Sequence, residues 1–267
     1  MKSTTKGGHV GRWLLNSFPT WALAIVFVVG FSLLALIGAQ VARRVVPSVA
    51  AGRFQETGTV LLSQTLAVYG IVLAFVIVNQ YTDVTETRIS VQDEALNIED
   101  LLRTSEGFTG PSRGEMARAV ETYVHTVVRD EWPRLEEGES SAKAGASLEH
   151  MYAVLNAHQP TQAAEISLYQ QALSYLHATH EARHRRLDAA SDALPPLLSA
   201  FTLFGAFATV GASFLLGLDR HRLIVPVGLA ALLGFTLLLS LTLDHPFSGS
   251  QGISTEHFFQ GRLGDSF

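Results

Sequence analysis

Residues 57–82 read TGTVLLSQTLAVYGIVLAFVIVNQYT and contain no Asp, Glu, Lys or Arg. Three further stretches share this property, namely Trp13–Ala42, Ala193–Leu218 and Leu223–Leu243. Each is long enough to cross a bilayer, because a spanning helix needs about 20 predominantly apolar residues. The sequence therefore predicts an all-α protein that crosses the lipid bilayer four times.

The first apolar stretch could also be a signal peptide, because Lys2, Lys6 and Arg12 precede it. Its apolar core from Trp21 to Ala39 exceeds the roughly 7–15 residues of a signal peptide, and no small-residue cleavage site follows it. We therefore expect a retained membrane helix.

The chain between the second and third apolar stretches is polar and acidic. Residues 83–192 hold 10 basic and 19 acidic residues, a net charge of −9. The predicted organisation is an N-terminal segment (1–20), two membrane helices (21–82), an acidic helical-bundle domain (83–192), two membrane helices (193–243) and a C-terminal tail (244–267).

Apolar periodicity predicts the helices of the acidic domain. The second membrane helix continues to Gly107, a further helix covers residues 112–135, and a loop at 136–147 precedes a short helix from Ser147 to His158. The last helix continues into the third membrane helix. Its apolar seam is Ile166, Tyr169, Leu173, Leu176, His180, Arg183, Leu187, Ala190 and Leu194.

The composition excludes several kinds of site. The chain has no cysteine, which excludes disulfides, thiolate metal ligands and a cysteine nucleophile. No basic patch is present for binding a nucleic acid. Because adjacent residues on a helix point about 100° apart, three acid pairs are interpreted mainly as solvated faces: Asp93-Glu94, Glu99-Asp100 and Asp130-Glu131.

One sequence motif is typical of a zinc hydrolase. Residues 180–184 read His-Glu-Ala-Arg-His, the spacing that places two imidazoles one helical turn apart beside a glutamate base. However, His180 belongs to the apolar seam, and Arg183, Arg185 and Arg186 would repel a bound dication. We therefore predict a histidine cluster on the bundle surface, with no metal, no cofactor and no catalytic residue.

Basic residues near the membrane ends predict the orientation. Nine lie on the side of the acidic domain and both termini, and five lie on the opposite side. Because Lys and Arg are enriched in cytoplasmic loops, we expect a multi-pass protein of the plasma membrane (the inner membrane of the cell) with both termini cytoplasmic.

A set of short motifs extends from the acidic domain to the tail: Glu94-Ala95, Leu102-Arg103, Tyr123 with Val127-Val128, Glu131-Trp132-Pro133, the Arg183, Arg185 and Arg186 cluster, Leu194-Pro195, and Asp244-x-Pro246-Phe247-x-Gly249. In this topology the set resembles the bacterial bestrophin-like family over about residues 57–259.

A more distant similarity links the chain to true bestrophins. Their pore-lining second helix ends in Gly-Phe-Arg, where this chain has Ala74-Phe75-Val76, and Tyr81, Glu86 and Arg88 keep the spacing of later bestrophin residues. The chain departs from bestrophins at Val76 and at Asp83, because bestrophins carry an arginine at both positions.

This resemblance implies a homo-oligomeric channel for inorganic ions, a pentamer in bestrophins, whose second helices form an apolar neck above a cytosolic vestibule. Gln64, Val68 and Val72 fall at neck-like positions, one helical turn apart. Ordinary packing against the other spans is the alternative for these three residues. The acidic domain would attract cations, so the anion preference of animal bestrophins is not implied.

Three classes of function stay open from the sequence. The leading single hypothesis is a bestrophin-like oligomeric channel or pore of unresolved ion selectivity. A non-conducting membrane scaffold or sensor, whose helical domain binds a partner, is the alternative, and a membrane enzyme has only the histidine motif in its favour. A pore requires a symmetric oligomer with the second helix at its centre, whereas a scaffold does not.

Overall fold

A computed structural model describes residues 6–191 and 194–259, and these are mostly helical with no β-strand among them, which confirms the all-α prediction. The α-helices are α1 (Lys6–Ser17), α2 (Thr20–Val45), α3 (Pro47–Ala50), α4 (Gln55–Ser105), α5 (Ser112–Thr126), α6 (Trp132–Leu135), α7 (Ala142–Ala157), α8 (Ala163–Ser191), α9 (Pro196–Ser213) and α10 (Ile224–Leu243). A π-helix covers Val127–Glu131, and 3-10 turns cover Phe214–Leu216 and Glu256–Phe259. Lys2, the predicted domain boundary at residue 192 and the end of the predicted tail lie outside the described residues.

The described residues form two compact units. The described part of residues 1–82 and 193–245 makes up the first, which we call the membrane unit. The described part of residues 83–192 and 246–267 makes up the second, which we call the helical unit. Four helices of the described chain are long and apolar enough to cross a membrane: α2, α4, α9 with its 3-10 extension, and α10. The prediction of four spans is confirmed.

Close helix contacts hold the membrane unit together. A Cβ atom at Gly234 of α10 would lie 2.7 Å from the Phe27 carbonyl oxygen of α2, so a glycine is needed at this crossing. The ring of Tyr69 in α4 covers Gly205 of α9, and its hydroxyl donates to the Thr202 carbonyl at 2.8 Å. One face of α4 is thereby fixed against its neighbours.

The helical unit has one continuous apolar core. Its fully buried side chains include Ile98, Leu101, Met116, Tyr123, Leu148, Met151, Leu155 and Leu176. Helix α4 runs without interruption to Ser105, which confirms that the second membrane helix continues beyond its apolar stretch. The predicted helix over residues 112–135 is also present, with the π-helix between α5 and α6.

Three details of the predicted helices are wrong, and two of them concern helix ends. Helix α7 begins at Ala142 and not at Ser147, because the Ser141 hydroxyl accepts a hydrogen bond from the Ala144 N–H and caps the helix. Helix α8 is described to Ser191, and it does not continue unbroken into α9, because Leu194 and Pro195 are not helical. Pro195 has an extended backbone, with a ψ of 135°, because a residue that precedes a proline is driven out of the α conformation.

The third detail is the buried face of α8. Ile166 of the predicted seam is exposed, whereas Thr179, Ala182 and Arg186 are buried. The buried face of α8 is therefore rotated around the helix axis relative to the predicted seam, by less than the 100° between neighbouring residues. It takes in Arg186 in addition to the predicted Arg183, and both arginines are buried. Their partners define the first candidate site.

Candidate functional site

Four charged side chains meet inside the helical unit, and we call them the buried ion network. Helix α4 supplies Glu94, the π-helix supplies Glu131, and α8 supplies Arg183 and Arg186, three residues apart on one helix face. Glu94, Glu131 and Arg186 have no exposed surface at all, and Arg183 is also buried. The network holds two positive and two negative charges.

The network is closed by short, paired hydrogen bonds. Arg186 donates from Nε to Glu94 Oε2 at 2.7 Å and from Nη2 to Glu94 Oε1 at 3.0 Å and Glu131 Oε2 at 2.8 Å. Arg183 donates from Nη2 to Glu131 Oε1 at 2.5 Å and from Nε to Glu131 Oε2 at 3.2 Å. Such bidentate arginine–carboxylate pairs combine charge with fixed geometry.

Neutral groups surround the network. The Tyr123 hydroxyl donates to Glu94 Oε1 at 2.7 Å, and the Ser141 N–H donates to Glu131 Oε1 at 3.2 Å. Arg186 Nη1 has no hydrogen-bond partner among the described residues, but the guanidinium carbon lies 5.3 Å from the centre of the Trp132 ring, a cation–π contact. Since each carboxylate oxygen already accepts from a donor, the network is suited to joining three helices and not to holding a substrate.

Opposite charges favour the ionised forms of Glu131 and Arg186 within the network. Burial alone would raise the pKa of Glu131, but Arg186 and Arg183 outweigh burial and hold that pKa below its ordinary value. Burial alone would lower the pKa of Arg186, and Glu94 and Glu131 reverse this effect and raise it. Burial, and then the Glu94 charge, raise the pKa of Tyr123, so its phenol stays a hydrogen-bond donor.

The Glu131-Trp132-Pro133 motif follows from the local helix geometry. Pro133 has no N–H to donate and lies in the first turn of α6, directly after the π-helix. A π-turn holds one residue more than an α-turn, and such turns are frequent at functional sites in helices. Here Glu131 points into the network and Trp132 packs beside it.

Trp132 also fixes the C-terminal tail. Its ring meets the rings of Phe247 and Phe258 edge to face, at centroid distances of 5.7 and 6.0 Å. Its Nε1–H donates to the Ile253 carbonyl at 3.3 Å. Gly249 has a φ of +78°, a left-handed conformation that favours glycine, and the tail turns back there.

The structure thus collects most of the motif residues in one place. Glu94, Glu131, Trp132 and Phe247 are buried in the helical unit, and Pro133, Pro246 and Gly249 shape the segments that carry them. Arg103 is separate: it is exposed at the end of α4 and pairs with Glu99 and Asp100 on its own helix.

Two of the three acid pairs are therefore not solvated faces. In Asp93-Glu94 and Asp130-Glu131 the first acid is accessible and the second is buried. The 100° angle between neighbours on a helix separates the two members of each pair, and the arginines of α8 draw one member inward. Local patterns do not predict that Arg186 and Tyr123 bind these acids, although the three-residue spacing of Arg183 and Arg186 is a signal that could indicate it.

The histidine motif has a different setting from a zinc site. His184 is exposed, and its ring centroid lies 4.6 Å from that of the half-buried His180. Within the described part of the chain, no group of three or more His, Asp or Glu side chains could hold a metal ion. This geometry gives the zinc interpretation no support.

The second candidate site is the face of α4 that does not pack within the membrane unit. Tyr69, Leu73, Val76 and Gln80 are buried on the opposite face, where Gln80 exchanges two hydrogen bonds with Ser240 of α10. The unpacked face carries the predicted Gln64 and Val68, both exposed.

Val72 is only partly exposed and lies at the flank of this face. Steps of four residues advance about 40° around a helix, so Val72 lies roughly 80° from Gln64. Ile71 and Phe75 are the more exposed residues, at 73% and 66%, and the sequence pattern of steps of four does not include them. Alternating steps of three and four from Gln64 would have found both.

We define the α4 stripe as Gln64, Val68, Ile71, Phe75 and Asn79. Its two amides lie at its ends, and the three residues between them are apolar. Among the described residues, neither side-chain amide makes a hydrogen bond. An amide that meets only hydrocarbon is unfavourable, so this face is suited to water or to another protein surface.

Comparison with known proteins agrees with the sequence motifs. A family model described as the Bestrophin-like domain matches residues 29–258, which is most of the chain. No curated protein matches the chain. The matched residues include the buried ion network, the tail turn at Gly249 and the α4 stripe, and the chain therefore belongs to the bestrophin-like family.

Proposed function

We propose that this protein is an oligomeric, bestrophin-like ion channel or pore, in which copies of α4 surround a central axis and present the α4 stripe to the ion path. The proposal places it in the plasma membrane, with both termini and residues 83–192 in the cytoplasm. It includes no catalytic step and no cofactor.

The observation that carries the proposal is the order of side chains along the stripe. Gln64 and Asn79 are amides without partners among the described residues, and Val68, Ile71 and Phe75 lie between them. Several copies around an axis would give both amides water and would place a ring of apolar side chains in the middle. Apolar constrictions of this kind gate ion flow by excluding water.

A single chain cannot supply such a path, because four helices give too little wall for an aqueous pore. The proposal therefore requires a symmetric homo-oligomer, and the resemblance to bestrophins favours a pentamer. The stripe contains no charged residue, so it sets no ion preference by itself. The net charge of −9 in residues 83–192 would favour cations near the pore at low salt.

The test compares two valines on one helix. Val68 is 60% exposed on the stripe, whereas Val76 is 2% exposed on the packed face. In reconstituted bilayers, Val68→Ala should raise conductance because a smaller side chain widens and wets the constriction. Val76→Ala should leave conductance near wild type and lower the melting temperature, since it opens a packing defect.

Charge provides the second arm of this test. Val68→Asp and Val68→Lys should shift the reversal potential in opposite directions, because a ring of charge acts at close range in a confined path. A folded oligomer that passes no ions as wild type or as Val68→Ala would contradict the pore. Equal effects of Val68→Ala and Val76→Ala would contradict the assignment of the stripe.

One observation favours the scaffold or sensor as the second candidate. The motif residues that define the family resemblance lie mainly in the core and tail of the helical unit and not on the α4 stripe. A non-conducting protein that needs this unit to bind a partner would show the same pattern. A monomer in detergent, together with silent bilayers, would make this candidate the leading one.

A further inference from the structure

The first helix of the chain, α1, has three distinct faces. One face packs within the membrane unit: Leu15 is buried with Leu23 of α2 and Leu238 of α10. Gly11 lies on the same face, where a Cβ atom would come within 2.7 Å of His245 Nε2. The packing of α1 is therefore close, and it holds the helix at the ends of α2 and α10.

The second face of α1 is apolar and uncovered. Trp13 is 62% exposed and Val10 is similarly exposed, three residues before it on the same side of the helix. Phe18 extends this surface, with its ring edge to face with Trp13 at 6.2 Å. Trp21, in the first turn of α2, is also exposed.

The third face is polar. Arg12 and Asn16 lie four residues apart on α1, roughly 110° around the helix from Val10 and Trp13 at 3.6 residues per turn. Arg12 is partly buried, and burial lowers the pKa of its guanidinium, whereas the charge of Asp244, directly after α10, acts in the opposite direction. The helix thus has an apolar side and a polar side flanking the face by which it is held.

The position of α1 in the chain limits what its apolar side can meet. Only Phe18 and Pro19 separate α1 from α2, the first membrane-spanning helix. The helix must therefore remain near the membrane surface. Exposed tryptophan is enriched at that depth, because its ring suits the boundary between head groups and acyl chains.

We propose that α1 is an interfacial anchor, which inserts Trp13, Val10 and Phe18 among the lipids of the bilayer that the chain spans, while Arg12 and Asn16 lie on its polar side. Amphipathic helices with aromatic residues on one side and cations on the other bind membranes in this way. The anchor does not depend on whether the protein conducts ions.

Tryptophan fluorescence tests the anchor, because the chain has three tryptophans, Trp13, Trp21 and Trp132. The Trp21→Phe protein and the Trp13→Phe/Trp21→Phe protein differ only in Trp13, so the difference between their spectra is its emission. Both would be placed in phosphatidylcholine nanodiscs with lipids brominated either close to the head group or deep in the acyl chains. Trp132 stays intact in both proteins.

We expect lipids brominated near the head group to quench Trp13 emission about twofold or more, with weaker quenching by deep bromines and little by aqueous iodide. Strong iodide quenching without lipid quenching would overturn the anchor. Stronger quenching by deep bromines would overturn its interfacial depth. Protection from all three quenchers would mean that protein covers Trp13, and would also overturn the proposal.

Discussion

At the scale of the residue, the buried ion network accounts for the occurrence of several motif residues together. The family resemblance places four residues of the network in one set of motifs: Glu94, Glu131, Arg183 and Arg186. The local patterns alone, however, place the two acids on solvated faces, whereas both are buried. Which member of an acid pair turns inward depends on a partner more than 50 residues away along the chain, at separations of 52, 55 and 92 residues. Local periodicity contains no information about such a partner.

Glu131→Gln tests the network. The substitution removes one of two buried negative charges and leaves Arg183 and Arg186 incompletely paired, which typically costs about 3–5 kcal/mol of unfolding free energy. Glu139→Gln, at an exposed position, is the matched control and should change stability by less than about 0.5 kcal/mol. Thermal or denaturant unfolding in detergent measures both proteins at pH 7.

The stabilisation that Glu131 provides depends on pH. Because the pKa of Glu131 is lowered in the folded protein, its stabilisation is complete above the ordinary carboxyl value of 4.5 and is lost as pH falls through the lowered pKa. The stability curves of wild type and Glu131→Gln should therefore converge in acid. A constant difference between the curves down to about pH 3 would contradict this role for the charge.

At the scale of the element, helices are easier to predict than the places where they end. The unbroken α4, the four spans and the helix before Pro133 follow from apolar periodicity and charge-free length. The start of α7, the break before Pro196 and the π-helix do not, because each depends on one hydrogen bond or one proline. The candidate pore residues show the same limit: strict steps of four select Val72, whereas the exposed face passes through Ile71 and Phe75.

The tail is the element whose contribution is most easily measured. Phe247 is buried against Trp132, whereas Phe259 is partly exposed at the end of the described tail. Phe247→Ala should lower the stability of the helical unit by about 3–5 kcal/mol through lost contacts and a cavity. Phe259→Ala should cost clearly less, and equal losses in unfolding free energy would show that Trp132 does not fix the tail through this ring.

At the scale of the whole molecule, the described chain combines a membrane unit, which holds four helices long enough to span a bilayer, with a helical unit made from two separate segments. The sequence predicts the membrane class because four charge-free apolar stretches of this length are rare in proteins that fold in water. It does not predict an ion preference for the proposed pore, because that preference would depend on how copies of the chain surround an axis. The family match extends over both units.

The orientation of the membrane unit can be tested because the chain contains no cysteine. Ala51→Cys lies between α3 and α4, and Ser140→Cys lies before α7, both at exposed positions. In right-side-out membrane vesicles, an impermeant maleimide should label Ala51→Cys and should reach Ser140→Cys only after the membrane is opened. The reverse pattern would place the helical unit outside the cytoplasm.

The contact between Trp132 and the tail has a consequence for how the protein is made. Trp132 is synthesised before α9 and α10, whereas its partners Phe247, Ile253 and Phe258 are synthesised after both. During translation the Trp132 ring therefore lacks these three partners until α9, α10 and the tail have been synthesised. The helical unit can thus become complete only after α10 and the tail have been made, and a chain that stalls before then would expose the aromatic surface of Trp132 to chaperones and proteases.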